Sequence, residues 1–285
     1  MEPTEPGQNV RDAHEILEHR EDVIWRYMNL WKFISMLESH SLHFSRLDQF
    51  NDRHEAAISA PAFETAVIES TEYMQAHEGR PVSDEDARER AALVEAATSK
   101  IKRESILVNC WHRNPNESGA MWAAYGNQGV AIRSTIGALY DCTKHYRPSV
   151  MIQWTYYVDH AVQDMDREEM FLFKHKLYAY EQEVRALILL PPGTVAPKLL
   201  PLEVDLKRLI NGVYLAPLAA IWQIATIKSL LEKYNLPDIE VFPSVADTIP
   251  DYRRRHDEYL EKMRSTPVDE VIAEYRNERS MKREP

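Results

Sequence analysis

The chain has 285 residues and a formal charge of −11, with 44% apolar and 28% charged residues, as is ordinary for a globular protein. It contains no run of 18 apolar residues and no charged-then-apolar leader, so we expect a cytoplasmic protein with no membrane partner. The acidic balance argues against a broad phosphate-tracking surface.

Several kinds of site are disfavoured by inspection. Cys110 and Cys142 stand outside any cluster with zinc spacing, so no metal is expected. The chain has eight glycines, and it contains none of the glycine-rich phosphate loops, the serine-hydrolase elbow or the zinc-binding H-E-x-x-H pattern. Serine hydrolase, P-loop and dinucleotide-fold classes are therefore disfavoured.

The first half of the chain opens with a polar arm over residues 1–20. A β-prone segment at 23–28 then precedes residues 30–39, where apolar side chains recur every three or four positions as in an amphipathic helix. Residues 41–46 alternate apolar and polar side chains and predict a second strand. The order is therefore strand, helix, strand.

A turn-forming loop follows, and residues 56–104 are rich in Ala and Glu. They predict a helical insertion of two helices, the second capped at Ser83. The remaining predicted elements are strands at 106–112, 129–134, 151–158, 183–190, 209–215 and 239–242, and helices at 117–125, 168–177, 218–234 and 251–277.

This irregular alternation predicts an α+β fold with a small mixed or antiparallel split sheet, flanking helices and the helical insertion. The predicted organisation is an N-terminal arm (1–20), a single domain (21–250) and a C-terminal charged helix and tail (251–285).

Glu181, Glu183 and Arg185 stand at two-residue spacing beside an apolar run. On a strand they would share one face, and such convergence of ionisable groups is typical of a site. The alternative is an ion-pair ladder on an exposed sheet edge.

Aromatic side chains are dense around residues 111–125, where Trp111, His112, Trp122 and Tyr125 lie close together in sequence. Such rings suit a flat ligand. Met121, Trp122 and Tyr125 can equally form the buried stripe of a short helix.

Three ordered segments resemble the bacterial domain-of-unknown-function family 2971. The first runs from Trp25-Arg26-Tyr27-Met28 to Phe50-Asn51-Asp52, the second from Val108-Asn109-Cys110-Trp111 to Gly129-Val130-Ala131-Ile132, and the third is Glu181-Gln182-Glu183-Val184-Arg185. The order of parts also resembles, more weakly, the ADP-ribosyltransferase fold.

The second resemblance implies an enzyme that uses NAD as substrate, either an ADP-ribosyltransferase or an NAD glycohydrolase, acting as a toxin or in phage defence. Glu183 would be the catalytic carboxylate and Glu181 would orient the acceptor, a protein or nucleic acid that the sequence does not identify. Nucleotide contacts would come from residues of the matching segments: Arg26, Tyr27, Ser45, Arg46, Asn51, Asp52, Trp111, His112, Trp122, Tyr125 and Arg185. Arg185 could instead pair with Glu183 and hold it in place.

Two other functions remain open from the sequence. One is a non-catalytic sensor or interaction module that binds a nucleotide or partner through Trp111, Trp122 and Tyr125. The other is a metal-dependent nuclease or hydrolase built on four titratable residues: Asp52, Glu55, His112 and Glu181.

Overall fold

A computed structural model describes residues 15–50, 52, 55–78, 82–126, 128–146, 150–159, 161, 169–247 and 251–281, without the side chains of 251–255 and 276–281. Contacts divide the chain into two compact units, one ending at Pro243 and the other beginning at Ser244. The predicted boundary after residue 250 lies slightly further along the chain.

Helices and strands alternate irregularly along the first unit. The helices of the chain are α1 (Glu15–Glu18), α2 (Leu30–Ser39), α3 (Ala60–Glu78), α4 (Asp84–Ser105), α5 (Gly119–Met121), α6 (Ile136–Thr143), α7 (Leu206–Leu209), α8 (Ile221–Lys233), α9 (Asp251–Met263) and α10 (Val268–Met281). The strands are β1 (Val23–Met28), β2 (Ser41–Arg46), β3 (Ile106–Arg113), β4 (Val130–Thr135), β5 (Met151–Trp154), β6 (Tyr156–Val158), β7 (Phe173–His175), β8 (Glu183–Leu189), β9 (Leu199–Glu203), β10 (Gly212–Leu215) and β11 (Val241–Phe242).

Nine of the strands form one mixed sheet, and flanking helices complete an α+β fold, as predicted. The strand order is β11-β10-β4-β1-β3-β2-β9, with β8 also paired to β3 and β5 paired to β8. Only β10 and β11 pair in parallel within this sheet, and β6 and β7 form a separate parallel pair.

The sheet is split at β3. Strand β8 covers one edge of β3 from Ile106 to His112, so β1 and β2 share the other edge. The last ladder pair of β1 joins Trp25 to His112, whereas the first pair of β2 joins Ser45 to Val108. Between these pairs, β1 and β2 diverge and leave a gap along the middle of β3.

Helix α2 connects the two diverging strands, and its ends are capped. Asn29 accepts a hydrogen bond from the backbone N–H of Lys32 (2.9 Å) at the start. His40 ends the helix in the left-handed conformation, with φ at 47°. Phe33, Met36 and Leu37 face the core, so the helix packs against the sheet with its apolar stripe.

The sheet buries apolar side chains on both faces. On the first face, Ile24, Met28 and Ile132 pack with side chains of α2, α6 and α8 in the main core. On the second face, Trp25 and Tyr27 pack with Met121 and Trp122 in a smaller aromatic cluster. The alternation of side chains along β1 supplies both layers.

The segment predicted as a helical insertion contains α3 and α4, and Ser83 caps α4 by accepting a hydrogen bond from the N–H of Asp86 (3.1 Å). The intervening loop at Gly79, Arg80 and Pro81 lies outside the described residues. Of the predicted N-terminal arm, residues 15–18 form α1, whose Ile16 is buried.

Several predicted elements differ from the structure. The helix expected at 168–177 is absent from its described part, where a 3-10 turn at Met170–Leu172 precedes β7 and a second turn, Lys176–Glu181. Burial of the apolar run accounts for this, because Phe171 and Leu172 enter the core while Phe173 packs elsewhere.

The strand predicted at 209–215 is shorter because Asp205 caps a helical turn, α7, before β10 begins. The strand predicted at 151–158 is two strands, β5 and β6, which pair with β8 and β7 respectively. In the second unit, the single predicted helix is divided into α9 and α10 around Pro267, a residue that disfavours continuation of a helix.

We expect Gly129→Ala to lower the free energy of unfolding by about 1–3 kcal/mol, the usual cost of overpacking. A Cβ at Gly129 would lie 2.0 Å from the carbonyl oxygen of Met28, at the end of β1. Gly119→Ala is the matched control because its Cβ would meet nothing within 4 Å. Urea unfolding of both variants tests this close approach, and equal stabilities would contradict it.

Candidate functional site

A cleft of about 550 Å³ occupies the gap in the sheet between β1 and β2. Side chains of both sheet faces, of α2 and of the turn before β8 reach it. Eight of the predicted site residues line it: Arg26, Tyr27, Ser45, Trp111, His112, Tyr125, Glu181 and Glu183. We call this region the split cleft.

Four other predicted residues do not line the split cleft. Arg46 is buried and donates to Asp48 (2.7 Å) and to the carbonyl of Ala196 (2.8 Å). Trp122 packs its ring 4.9 Å from that of Tyr27, within the aromatic cluster. Asp52 and Arg185 are the other two, and Asn51 lies outside the described residues.

Arg26 is the cation at the divergence of the strands. Its guanidinium donates to the carbonyl of Cys110 (3.2 Å), at the part of β3 that neither β1 nor β2 pairs with. It lies over the ring of Trp111, and no carboxylate of the described residues pairs with it. A half-buried guanidinium without a counter-ion suits an anionic ligand.

A buried network of charges lies on the other side of the cleft. Arg185 donates to Glu183 Oε1 (2.9 Å) and to the carbonyl of Phe171 (2.5 Å), and its Nη1 lies 2.6 Å from Glu55 Oε1. Lys174 donates to Glu183 Oε2 (3.2 Å) and also to Glu181. All five side chains are at most 9% exposed.

Formal charges in this network do not cancel. Glu55, Glu181 and Glu183 contribute three negative charges, and Lys174 and Arg185 contribute two positive charges, which leaves −1. In a poorly solvated region this excess acts more strongly on a nearby cation than it would in water.

Glu183 remains ionised within this network. Burial opposes its ionisation, but the charges of Arg185 and Lys174 more than offset that penalty and lower its pKa to about 2. Arg185 therefore supports Glu183, the second of the two roles that the sequence left open. Its guanidinium is fully buried behind the carboxylate.

Glu181 lies just before the strand, whose start at Glu183 agrees with the predicted range of 183–190, so the three charges do not share one strand face. It ends the 3-10 turn at Lys176–Glu181, and Gln182 follows in the left-handed conformation with φ at 40°. Strand β8 begins only at Glu183. The two carboxylates still converge, because Lys174 binds both and Tyr125 Oη donates to Glu181 Oε1 (2.8 Å).

Tyr125 comes from a π-helical turn, Trp122–Gly126, which follows α5. Met121 and Trp122 of this segment are buried, as the alternative of a helix stripe predicts, whereas Tyr125 is 49% exposed and lines the cleft. Turns of this kind are frequent at functional sites.

His112 lies directly opposite Glu183 in the β3–β8 ladder. Its Nδ1 is 2.5 Å from the backbone carbonyl of Glu181, so Nδ1 carries the proton. Burial lowers the pKa of the imidazole, which is therefore neutral near pH 7 with an unprotonated Nε2.

Sequence reasoning missed Lys174, whose ammonium contacts both Glu181 and Glu183. Lys174 stands in the apolar segment that was predicted as a helix. The segment instead forms strand β7, and from this strand the ammonium reaches the carboxylates. His43 and Lys32, which also line the cleft, were missed as well. His43 had one signal, its place in a segment that resembles family 2971, and Lys32 had none.

The described residues contain no group of three or more His, Cys, Asp or Glu side chains arranged to hold a metal ion. Glu55, a candidate ligand in the hydrolase hypothesis, is paired with Arg185 instead. Among the helices described, none is both long enough and apolar enough to cross a membrane.

Comparisons of the chain with protein-family models, with curated proteins and with solved structures give no match. The resemblances to family 2971 and to the ADP-ribosyltransferase fold therefore remain predictions.

We expect Lys174→Met to lower the free energy of unfolding at pH 7.5 by about 3–5 kcal/mol, since it leaves buried carboxylates uncompensated. One carboxylate would then bind a proton with a pKa raised above its unfolded value. Its stabilising contribution is present below the unfolded pKa and is lost as the pH rises through the raised pKa, so the defect should be smaller at pH 5.

The matched control is Lys176→Met, whose ammonium is 59% exposed beside Asp159. Removing such a surface pair should cost at most about 1 kcal/mol, with no difference between the two pH values. Urea unfolding at pH 5 and pH 7.5 makes the comparison. A Lys174 defect that does not change with pH would contradict the shared-ammonium arrangement.

Proposed function

We propose that the split cleft binds a nicotinamide dinucleotide and that the protein is an NAD-using ADP-ribosyltransferase or NAD glycohydrolase. The observation that carries this proposal is the convergence of Arg26, Ser45 and Glu183 on one cleft, although they come from three different strands. Its volume of about 550 Å³ is within the usual range for ligand pockets, roughly 300–1,000 Å³.

The charges of the cleft suit the two ends of such a ligand. The guanidinium of Arg26, with Lys32 nearby on α2, would bind the pyrophosphate. At the other end, the carboxylates of Glu181 and Glu183 belong to the network whose formal charges sum to −1. They would face the ribose whose bond to the nicotinamide is cleaved.

Glu183 would act electrostatically in this reaction. As nicotinamide leaves, positive charge develops at C1′ of the ribose, and a carboxylate that is ionised beforehand stabilises it without reorganisation. A low pKa is an advantage for this task because it keeps the Glu183 carboxylate negatively charged at neutral pH, and the reaction does not require Glu183 to take up a proton. Arg185 and Lys174 hold the carboxylate in position, and their charges leave the network's net −1 in place.

One observation favours a second function, a non-catalytic nucleotide-binding module. Both oxygens of Glu183 already accept hydrogen bonds from Arg185, and Oε2 also accepts from Lys174. A carboxylate used in this way can serve as structure alone. Binding of nucleotides without any product would support this alternative.

We expect Glu183→Gln to lower the rate of nicotinamide release from NAD at least 100-fold, the loss typical when a group that stabilises transition-state charge is removed. Product is measured by chromatography, with folding checked by urea unfolding. Glu89→Gln, an exposed position on α4, is the matched control and should retain full activity. Unchanged turnover in Glu183→Gln would refute the catalytic assignment, and a wild-type protein that binds NAD without turnover would favour the binding module.

We expect Arg26→Gln to raise the Kd for ADP-ribose about 10-fold or more, because hydrogen bonds to charged groups contribute about 1.5–3 kcal/mol. The salt dependence of binding should weaken together with the affinity. Arg113→Gln is the matched control, since Arg113 is on the same sheet but pairs with Asp22 outside the cleft. Titration calorimetry at two salt concentrations measures both effects, and equal affinities of the two variants would place the phosphates elsewhere.

A further inference from the structure

His112 has a polar atom for which the described residues offer no hydrogen-bond partner. The side chain is 1% exposed, and its Nε2 is buried and unpaired. Leaving a buried acceptor unsatisfied destabilises the protein. The histidine lines the split cleft, so a bound molecule can supply the missing donor.

The hydrogen bond at Nδ1 determines which form of the ring the cleft contains. A backbone carbonyl can only accept, so the proton is at Nδ1 and the lone pair is at Nε2. The short contact to the Glu181 carbonyl also orients the ring. The imidazole is therefore held in the tautomer that a general base requires.

The position of His112 relative to Glu183 is set by the sheet. The two residues are direct partners across the β3–β8 ladder, so their side chains leave the same face with Cβ atoms about 4.5–5.5 Å apart. Whatever reacts beside the Glu183 carboxylate therefore reacts within reach of the imidazole.

We infer that His112 is the general base of the site and accepts the proton of the hydroxyl or water that attacks the ribose. This inference rests on the proposed function and adds a residue and a role to it. The family resemblance implied only a nucleotide contact for this histidine.

In the step inferred here, the oxygen of the attacking O–H forms a bond to C1′ of the ribose. The bond from C1′ to the nicotinamide nitrogen breaks, and its electron pair leaves with the neutral nicotinamide. The proton of the attacking group passes to Nε2 of His112 and then to solvent. Each turnover therefore consumes one NAD and one water or alcohol, and it releases nicotinamide, one proton and either ADP-ribose or the ADP-ribosylated alcohol.

Several ionisable groups surround His112 or bind its neighbours. Tyr27 of β1, Glu181 of the 3-10 turn and Glu183 of β8 lie next to the histidine. Tyr125 of the π-helical turn, Tyr157 of β6 and Lys174 of β7 bind Glu181 or Glu183. The pKa of each of the three tyrosines and of Lys174 is raised, and that of Glu183 is about 2. None of these five therefore titrates near neutral pH, whereas burial lowers the pKa of the imidazole from its ordinary value of 6.5.

The test is His112→Asn, in which the amide can still donate to the Glu181 carbonyl but no base remains. We expect hydrolysis of NAD to fall about 100-fold or more, as is typical when a general base is lost. Wild-type activity should rise with pH through an apparent pKa below the ordinary histidine value of 6.5, and this rise should be absent from the variant.

Azide distinguishes a lost base from a structural defect, because it is an anionic nucleophile with no proton to remove. We expect azide to raise the rate of nicotinamide release by His112→Asn at least 10-fold. The product should be the azide of ADP-ribose, which mass spectrometry detects. His77→Asn, an exposed position on α3, is the matched control and should behave as wild type with and without azide.

Full activity in His112→Asn, or a loss that azide does not restore, would overturn the assignment of the base while leaving the proposed function intact. A wild-type protein that releases no nicotinamide would refute the proposed function, and the base with it. If His112→Asn does not fold, the wild-type pH profile decides: activity that does not fall as the pH is lowered below 6.5 overturns the inference.

Discussion

The site depends on the sharing of one edge of β3 by two strands. Strand β8 occupies one edge of β3 along seven residues, so β1 and β2 must share the other edge. On that edge β1 pairs with the C-terminal end of β3, and β2 pairs nearer to its N-terminal end. Their divergence exposes backbone groups in the middle of β3. Arg26 donates to the Cys110 carbonyl, and the side-chain amide of Asn109 donates across the gap to the backbone carbonyl of His43. The gap therefore presents a few polar groups among apolar side chains such as Trp25, Met36 and Leu42.

Charge is arranged unequally around this gap. On the β1 side stands the guanidinium of Arg26, which pairs with no carboxylate in the part of the chain that the structure describes, and a buried network with an excess carboxylate stands on the β8 side. Both arrangements cost free energy in the absence of a ligand, because ions are poorly solvated there. A ligand with a negative group and a developing positive charge compensates both at once.

Periodicity predicted the strands and the helix that border the cleft, since β1, α2, β2, β3 and β8 each have a clear apolar pattern of their own. It could not place Lys174 or Glu181. The first depends on an apolar segment becoming a strand instead of a helix, and the second depends on the left-handed conformation of Gln182. Both are decided by tertiary packing, which a local pattern does not contain.

Helix α2 joins the two strands that diverge. Ten residues of helix span about 15 Å, capped at both ends and packed on the sheet. The distance between the walls of the cleft is therefore set by a rigid strut and not by a loop. Such a cleft is preformed, so a ligand has no ordering cost to meet from this segment, and a residue inserted into α2 would alter the width of the cleft before it altered the fold.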